Sequence, residues 1–365
     1  MESFHSFDKV ISEIASPDRL FVAIVAVLMV SLIGIITGPL TGNANPYFWA
    51  LFDRMIGGVA RRGYVKTKST STLLFRGTFF TILFLVTACV FGAALYMVKR
   101  YFPMGGMMEP MLLALLCSGG AVIVSVYRLF LAMNRDAKDK DDKRGSFGPV
   151  AITARADLNT VDDYGMARIG AGVIPVTFDR GLVMPIFWYV IGGLPLAFLV
   201  TGMTAAKWAL AKNGFAKGYG ALALSLETLF GFIPRIIASK LLILSSLLTP
   251  HAGVTRSLIS IFSWKNQAPS AEGGLPLTIM AYALNVSLGG PVQDIDGSSL
   301  QQKFVGPKNA SARVDAGVLK QACYMGAMAH ILLLAILLLL LVLVRAAATA
   351  AATATPIIAP AIGTM

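Results

Sequence analysis

The chain has 365 residues, of which 56% are hydrophobic and 14% are charged, and its formal net charge is +12. Soluble domains carry about 25% charged residues, so this composition excludes an ordinary soluble domain and predicts an integral membrane protein. An excess of lysine and arginine in such a protein is typical of the positive-inside bias and of contact with anionic lipid head groups, and nothing in it indicates nucleic-acid binding.

Several apolar runs reach or approach the length of about 20 residues that a membrane-spanning helix needs. In chain order they are residues 20–40, 73–98, 111–133, 182–206, 221–248 and 327–344. A further apolar stretch, residues 278–288, is too short to span. The runs predict an all-α, polytopic integral membrane protein with about five to seven membrane-embedded segments, some of them broken or re-entrant.

Two of the runs carry helix breakers or charges, which are tolerated at membrane depth where protein or a water-filled cavity satisfies the freed groups. In residues 182–206 they are Pro185, Gly192, Gly193 and Pro195, and in residues 221–248 they are Glu227, Pro234, Arg235 and Lys240. We expect the run 182–206 to bend between Gly192 and Pro195. Tilted helices with their charges at the membrane interface are the alternative to a functional cavity.

The sequence predicts one transmembrane domain, residues 20–344, between a polar N-terminal segment 1–19 and a low-complexity alanine and threonine tail 345–365 that is disordered or weakly helical. The N-terminal segment lacks the basic start and small-residue cleavage site of a signal peptide.

The positive-inside bias places the basic segments 43–72 and 134–180 in the cytoplasm. A single crossing by residues 182–206 would put Lys207, Lys212 and Lys217 on the opposite side, against that bias. Re-entrant or in-plane packing of this run is therefore expected.

The number and spacing of the cysteines and histidines argue against zinc, redox and histidine-based metal sites. The three histidines do not have metal-ligand spacing, and the three cysteines include no CxxC pair. The sequence also lacks the G-x-S-x-G turn of a serine hydrolase and the Walker motif of a P-loop nucleotide site. No metal ligands are identified from these patterns.

One segment and its surroundings resemble a known family. Residues 267–291 read QAPSAEGGLPLTIMAYALNVSLGGP. This stretch resembles the signature of the membrane-bound adenosylcobinamide-phosphate synthase family (CobD/CbiB). The resemblance runs in order from about Asn45 to residue 306, and the glycine, proline and aromatic positions persist. Acids of the family pattern are replaced by Ala156, Val176, Leu210 and Leu277.

The resemblance implies ATP-dependent amide formation between adenosylcobyric acid and an aminoalcohol or its phosphate. It also implies a multi-pass protein of the inner (plasma) membrane, with membrane lipid and a corrinoid or small-molecule substrate as partners. ATP and Mg²⁺ are the cofactors implied if the chain is active. Mg²⁺ prefers oxygen ligands, and cations stabilise developing phosphoryl charge.

The charged residues in the matching blocks are the candidate site. The candidate catalytic acids are Asp179, Glu227 and Glu272. The candidate substrate- or nucleotide-binding residues are Arg155, Asp157, Arg180, Lys207, Arg235, Ser270, Asp294 and Asp296. Each one alone fits an ordinary loop or interface charge. As a set that flanks broken membrane segments, the charged residues other than Asp157 are expected to converge, at least in part, on one cytoplasm-facing cavity.

A non-catalytic function stays open beside the enzyme. Residues 185–188 with Gly192 and Gly193, and residues 233–235, are also similar to blocks of AmpE-type membrane proteins, which implies a regulatory or partner protein on the same scaffold. The missing acids predict that Mg-ATP binding is weak or absent. A transporter, the third possibility, lacks an evident inverted repeat.

Overall fold

The computed structural model describes residues 16–101, 105–134, 140–211, 215 and 217–354. Residues 1–15 of the predicted N-terminal segment and residues 355–365 of the predicted tail lie outside this part of the chain. The helices of the described part are α1 (Pro17–Thr37), α2 (Tyr47–Phe52), α3 (Gly58–Gly63), α4 (Thr70–Tyr101), α5 (Gly105–Leu115), α6 (Gly120–Asn134), α7 (Lys140–Ala154), α8 (Asp163–Thr177), α9 (Met184–Leu210), α10 (Ala221–Phe230), α11 (Phe232–Leu248), α12 (Val254–Phe262), α13 (Gly274–Leu284) and α14 (Ala316–Ala354).

Within the described residues, five helical stretches are long and apolar enough to cross a membrane, and α10 with α11 forms a sixth candidate that is bent by 61°. The five are Pro17–Thr37, Thr70–Tyr101, Gly106–Asn134, Asp163–Leu210 and Ala316–Ala350. The predicted all-α, polytopic architecture is confirmed. Helix α13 has 11 residues and is too short to span.

The last helix shows how the protein divides its apolar surface between core and lipid. Leu333, Leu337 and Leu341 of α14 are buried. Their spacing of four residues places them in one stripe that packs against the other helices. Leu339 and Leu343 on the outer face are exposed. An exposed aliphatic face of this length is typical of a surface that contacts lipid.

Helix α9 folds back on itself. A straight helix from residue 180 to residue 207 would be about 40 Å long. Nevertheless, Nε of Arg180 lies 2.7 Å from Oε1 of Glu227, and Nζ of Lys207 lies 3.1 Å from Oε2 of the same carboxylate. The reversal occurs at Gly193, whose φ of 70° and ψ of −163° are not helical. The bend expected between Gly192 and Pro195 is therefore present, and α9 is a helical hairpin with its apex at Gly193.

Arg19 at the start of α1 satisfies the backbone carbonyls at this apex. Pro195 has no N–H group, so the Ile191 carbonyl has no helical donor four residues later. The Nη1 group of Arg19 donates to the Ile191 carbonyl at 2.7 Å and to the Val190 carbonyl at 3.3 Å. The apex is thereby fixed beside the first turn of α1.

The far end of the hairpin returns to the basic segment 43–72. The Lys217 ammonium donates to the carbonyls of Lys66 at 2.6 Å and Lys68 at 3.3 Å. Arg180 and Lys207 meet at one carboxylate, so the chain enters and leaves the hairpin on one side. The re-entrant arrangement expected for these lysines matches this geometry. Lys212 lies outside the described residues.

The interval 134–180 differs from the expected cytoplasmic segment, because α7 and α8 lie in it and α8 continues into α9. Asp162 caps α8 by accepting a hydrogen bond from the Gly165 N–H group. Small residues then let α8 approach α6, and the side chain of Leu129 lies against Gly170. Helix α8 was not predicted from the sequence, because charged residues flank it and glycines interrupt the pattern of apolar side chains on its buried face.

A short β-structured loop follows α13, and we call residues 288–305 the β-loop. Strand β1 (Leu288–Gly289) pairs with β4 (Phe304–Val305), and β2 (Val292–Gln293) pairs with β3 (Ser299–Leu300). Each strand has two residues, which is far below what an independent sheet requires. The loop extends from the helical domain and contributes residues to the wall of the cavity described below.

Candidate functional site

Five charged residues from two broken helical segments meet in one buried group, the Glu227 cluster: Asp179, Arg180, Lys207, Glu227 and Arg235. Glu227 is fully buried at 0% exposure. Its carboxylate pairs with Arg180 at 2.7 Å, with Lys207 at 3.1 Å and with Nη2 of Arg235 at 3.6 Å. Nε of Arg235 also lies 3.3 Å from Oδ2 of Asp179. Three cations and two carboxylates therefore contact one another in the protein interior, where an unpaired charge would be costly.

Local breaks in the helices bring these side chains together. Asp179 and Arg180 lie in a π-helical turn, Phe178–Val183, that joins α8 to α9. Turns of this kind occur frequently at functional sites. Lys207 comes from the returning arm of the α9 hairpin. Glu227 and Arg235 lie on either side of the bend at Gly231 between α10 and α11.

The start of the signature segment closes the cluster. The Ser270 carbonyl accepts hydrogen bonds from Lys207 at 3.3 Å and from Arg180, and the Ser270 hydroxyl accepts one from Arg235 at 3.2 Å. Ser270 begins the short 3-10 turn Ser270–Glu272, which precedes Gly273 and Gly274 with positive φ angles of 132° and 64°. One residue therefore contacts all three cations of the Glu227 cluster.

Arg155 forms a second buried group with the β-loop. Its Nε lies 3.0 Å from Oδ2 of Asp294, its Nη2 lies 3.1 Å from Asp296, and its Nη1 donates to the Trp208 carbonyl at 2.6 Å. The guanidinium also lies 5.4 Å from the Trp208 ring centroid. Burial raises the pKa of Asp294, and the Arg155 guanidinium offsets part of that rise. Trp208 follows Lys207 in the chain and so joins the two groups.

Arg155 has a backbone conformation that favours glycine. Its φ is 55°, and it occupies the first position after α7 in a Schellman cap, in which the Ala156 N–H group donates to the Ala151 carbonyl at 2.9 Å. A non-glycine residue here costs about 1–3 kcal/mol. The strained arginine is retained where its side chain reaches across to Asp294 and Asp296, which is a common feature of functional positions.

The two groups form part of the wall of a cavity of about 350 Å³. This volume lies within the range of small-ligand pockets. Four cations line it, and among the described residues Glu272 is the one carboxylate of its wall. The cations are Arg155, Arg168, Arg180 and Lys207. The carboxylates of Asp179, Glu227 and Asp294 lie behind them, so the cavity presents positive charge to a ligand.

The cavity wall also holds buried hydrogen-bonding groups that have no partner among the described residues. They are Nε1 of Trp49, Oγ of Ser118, Nε of Arg168 and Nε1 of Trp208. Three of them are N–H groups, which can only donate. Buried polar groups are nearly always satisfied, so this set indicates a ligand that is rich in acceptor oxygens.

The donor set does not fit a protein-held Mg²⁺ ion, which needs oxygen ligands in an octahedral arrangement. No group of three or more histidine, cysteine, aspartate or glutamate side chains in the described part of the chain could hold a metal ion. Ala156, Val176 and Leu277, at positions where the resemblance described above implies acids, line the cavity, and Leu210 is buried. These side chains offer no ligand.

The structure brings most of the predicted residues to this region but separates Asp157 from it. Asp157 caps the turn Leu158–Thr160 by accepting a hydrogen bond from the Asn159 N–H group at 2.9 Å. Its side chain is held outside the cavity wall by that local bond. Glu272 does reach the wall and accepts the Lys303 N–H group at 3.1 Å. Burial raises the pKa of Glu272, and this hydrogen bond opposes the rise.

Several cavity residues were not predicted as site residues, namely Asn45, Trp49, Ser118, Arg168 and Trp208. Helical spacing could have identified Arg168. It stands 4 and 8 residues before Gly172 and Val176, so the three lie along one side of α8. The signal was missed because the helix was expected to begin at residue 182.

Comparison with known proteins adds a family to this geometry. Residues 24–325 match the family model described as CobD/Cbib protein. "Cobalamin biosynthesis protein CobD" of Brucella suis biovar 1 (strain 1330) is 25% identical over 278 residues, which cover 73% of this chain and 81% of that protein. The protein of the same name from Sinorhizobium sp is 23% identical over 316 residues, covering 82% and 94%. No solved structure shows a significant match.

Proposed function

The chain belongs to the CobD/CbiB family, and on that premise we propose that it acts in cobalamin biosynthesis as an amide-forming membrane enzyme. The proposed substrates are adenosylcobyric acid and an aminoalcohol or its phosphate, and ATP is the proposed co-substrate. The observation that carries the proposal is the cavity wall, which combines four cations with unpaired hydrogen-bond donors. Carboxylate and phosphate oxygens are the groups that such a wall binds best.

The proposed contribution of the chain is binding and orientation of the acidic substrate. Arg180 and Lys207 face the cavity, while Glu227 behind them holds both in place. Preorganised cations stabilise negative charge without reorganising when it develops. Asp179 and Glu227, proposed from the sequence as catalytic acids, act in this proposal as positioning residues, and Glu272 is the acid that reaches the cavity.

The proposed location is the inner (plasma) membrane, with the cavity open toward the cytoplasm. Its support is the basic segment 43–72, whose Lys66 and Lys68 carbonyls bind Lys217 on the side where the α9 hairpin begins and ends. Basic loops favour the cytoplasmic side. That side also supplies ATP. Lipid around the exposed helix faces and a corrinoid substrate are the proposed partners.

A second candidate function is a non-catalytic regulatory or partner protein that keeps the scaffold and the anion-binding cavity. The observation in its favour is the apolar character of Ala156, Val176 and Leu277 at the cavity wall, at positions where the sequence resemblance implies acids. A metal-dependent phosphoryl step requires oxygen ligands, which these side chains cannot supply.

Complementation distinguishes the two functions. A strain that lacks its own synthase is supplied with cobyric acid and with this chain, and growth is measured under cobalamin-dependent conditions. The enzyme predicts growth, and Lys207→Met should abolish it because the cavity loses a buried cation. Lys240→Gln, on the exposed face of α11, is the matched control and should grow. If the unaltered chain is present in the membrane and growth fails, the amide-forming function is wrong and the non-catalytic function is supported.

A further inference from the structure

We propose that Arg168 is the primary anion-binding residue of the cavity and anchors a phosphate or carboxylate group of the ligand. The inference deepens the proposed function, because it concerns the same cavity and names the residue that recognises the acidic group. It starts from the charge balance around the cavity wall, in which one cation differs from the other three.

The other three cations of the wall already pair with carboxylates. Arg155 pairs with Asp294 at 3.0 Å, and Arg180 and Lys207 share Glu227 at 2.7 and 3.1 Å. An arriving anion would have to compete with these carboxylates. Arg155, Arg180 and Lys207 give the cavity positive potential and help to orient the acidic substrate. Each is already held by a carboxylate at close range, however, so none of the three is the primary anchor.

Arg168 forms no ion pair of this kind with the described residues. Carboxylates within 4.0 Å pair with Arg155, Arg180 and Lys207 of the wall, and Arg168 has none among the residues described. The Asp162 carboxylate lies farther away and interacts with Arg168 only through longer-range electrostatics. An unpaired charge in a partly buried position is costly, and a bound anion would offset that cost.

The hydrogen bonds of Arg168 leave donors available. Its Nη1 donates to the Ala312 carbonyl at a long 3.4 Å, and its Nε is buried with no partner among the described residues. A guanidinium presents five N–H donors in a fixed fork that matches two oxygens of a carboxylate or phosphate. The fork of Arg168 therefore has the geometry and the free donors to bind such a group.

The β-loop holds the guanidinium in position. The centre of the Arg168 guanidinium lies 5.3 Å from the ring centroid of Phe304. Phe304 belongs to strand β4, which pairs with β1. Stacking on an aromatic ring restrains the side chain while its edge remains free to donate. Gln301 and Gln302 of the same loop line the cavity and supply neutral amide groups beside the proposed anion.

Binding measurements on the purified full chain in detergent test this inference. The probes are inorganic phosphate and succinate in separate titrations, followed by tryptophan fluorescence, because Trp49 and Trp208 line the cavity. Removing a hydrogen bond to a charged group weakens binding by about tenfold or more. We therefore expect this loss of affinity in Arg168→Gln, and partial recovery in Arg168→Lys, which keeps the charge without the fork.

Arg313→Gln is the matched control. It removes the same charge from an exposed arginine that lies 6.0 Å from the Tyr164 ring, outside the cavity wall, and should leave affinity unchanged. Size-exclusion chromatography verifies that each variant is folded. Saturation by phosphate alone or by succinate alone identifies the anionic group. Equal affinities of the unaltered chain and Arg168→Gln, or no binding of either probe, would overturn the inference. Complementation, measured separately, still reports on the amide-forming function.

Discussion

Glu227 shows how much of this site depends on one carboxylate. It contacts Arg180, Lys207 and Arg235 from a position with no solvent exposure. Buried ion pairs rarely add net stability, because desolvation cancels most of the Coulomb energy. Their retention here is better explained by positioning, since the carboxylate holds two cations of the cavity wall at fixed places. Removing it leaves several buried cations with too little negative charge.

Glu227→Gln should lower the free energy of unfolding by about 3 kcal/mol or more, because it breaks a buried charge group from one side only. Denaturation of the detergent-solubilised protein measures the loss. Glu272→Gln, whose carboxylate is partly exposed and bonded to one backbone N–H group, should change stability much less. The double variant Glu227→Gln with Lys207→Met should recover part of the loss. A single variant as stable as the unaltered chain would contradict the proposed positioning role.

The α9 hairpin is the element that creates the cavity. One uninterrupted apolar helix would place Arg180 and Lys207 about 40 Å apart. The fold-back at Gly193 instead brings both to one carboxylate. The sequence contains the necessary signals, namely two glycines and Pro195, but these signals allow either a kink or a full reversal. Packing against α1, where Arg19 accommodates the free carbonyls, selects the reversal.

Gly193→Ala tests the hairpin. Alanine is strained at the observed φ of 70°, and we expect a loss of about 1–3 kcal/mol in the free energy of unfolding. Gly58→Ala is the control, since a Cβ atom there meets nothing within 4 Å and the residue is helical. Thermal unfolding of both variants in detergent provides the comparison. Equal melting temperatures would mean that the apex does not require a glycine conformation.

At the scale of the whole molecule, the hairpin determines on which side of the membrane the basic loops lie. Lys217 binds the carbonyls of Lys66 and Lys68, so the end of the hairpin and the segment before α4 lie on one side. Arg100 is at the opposite end of α4, a helix long enough to cross a bilayer. Lys66, Lys68 and Lys217 therefore lie on one side, and Arg100 lies on the other.

Labelling with a membrane-impermeant maleimide measures this topology in a chain whose cysteines are replaced. Lys66→Cys and Lys217→Cys should react only after cells are lysed, because both positions are expected on the cytoplasmic side. Arg100→Cys should react in intact cells. Labelling of Lys217→Cys together with Arg100→Cys, and apart from Lys66→Cys, would contradict the fold-back of α9.

The sequence by itself determined the class of the protein and most of its membrane segments, because apolar length and composition act locally along the chain. It also identified the cations and acids that the fold gathers, such as Arg155, Arg180, Lys207, Glu227 and Arg235. Only the tertiary structure decided their roles. Asp157 and Asp294 both looked like site acids, yet one caps a turn and the other neutralises Arg155. Helical spacing could have placed Arg168 on the cavity side of α8, but its lack of a carboxylate partner became visible only in the tertiary structure, since ion pairing and burial depend on distant segments that local patterns do not encode.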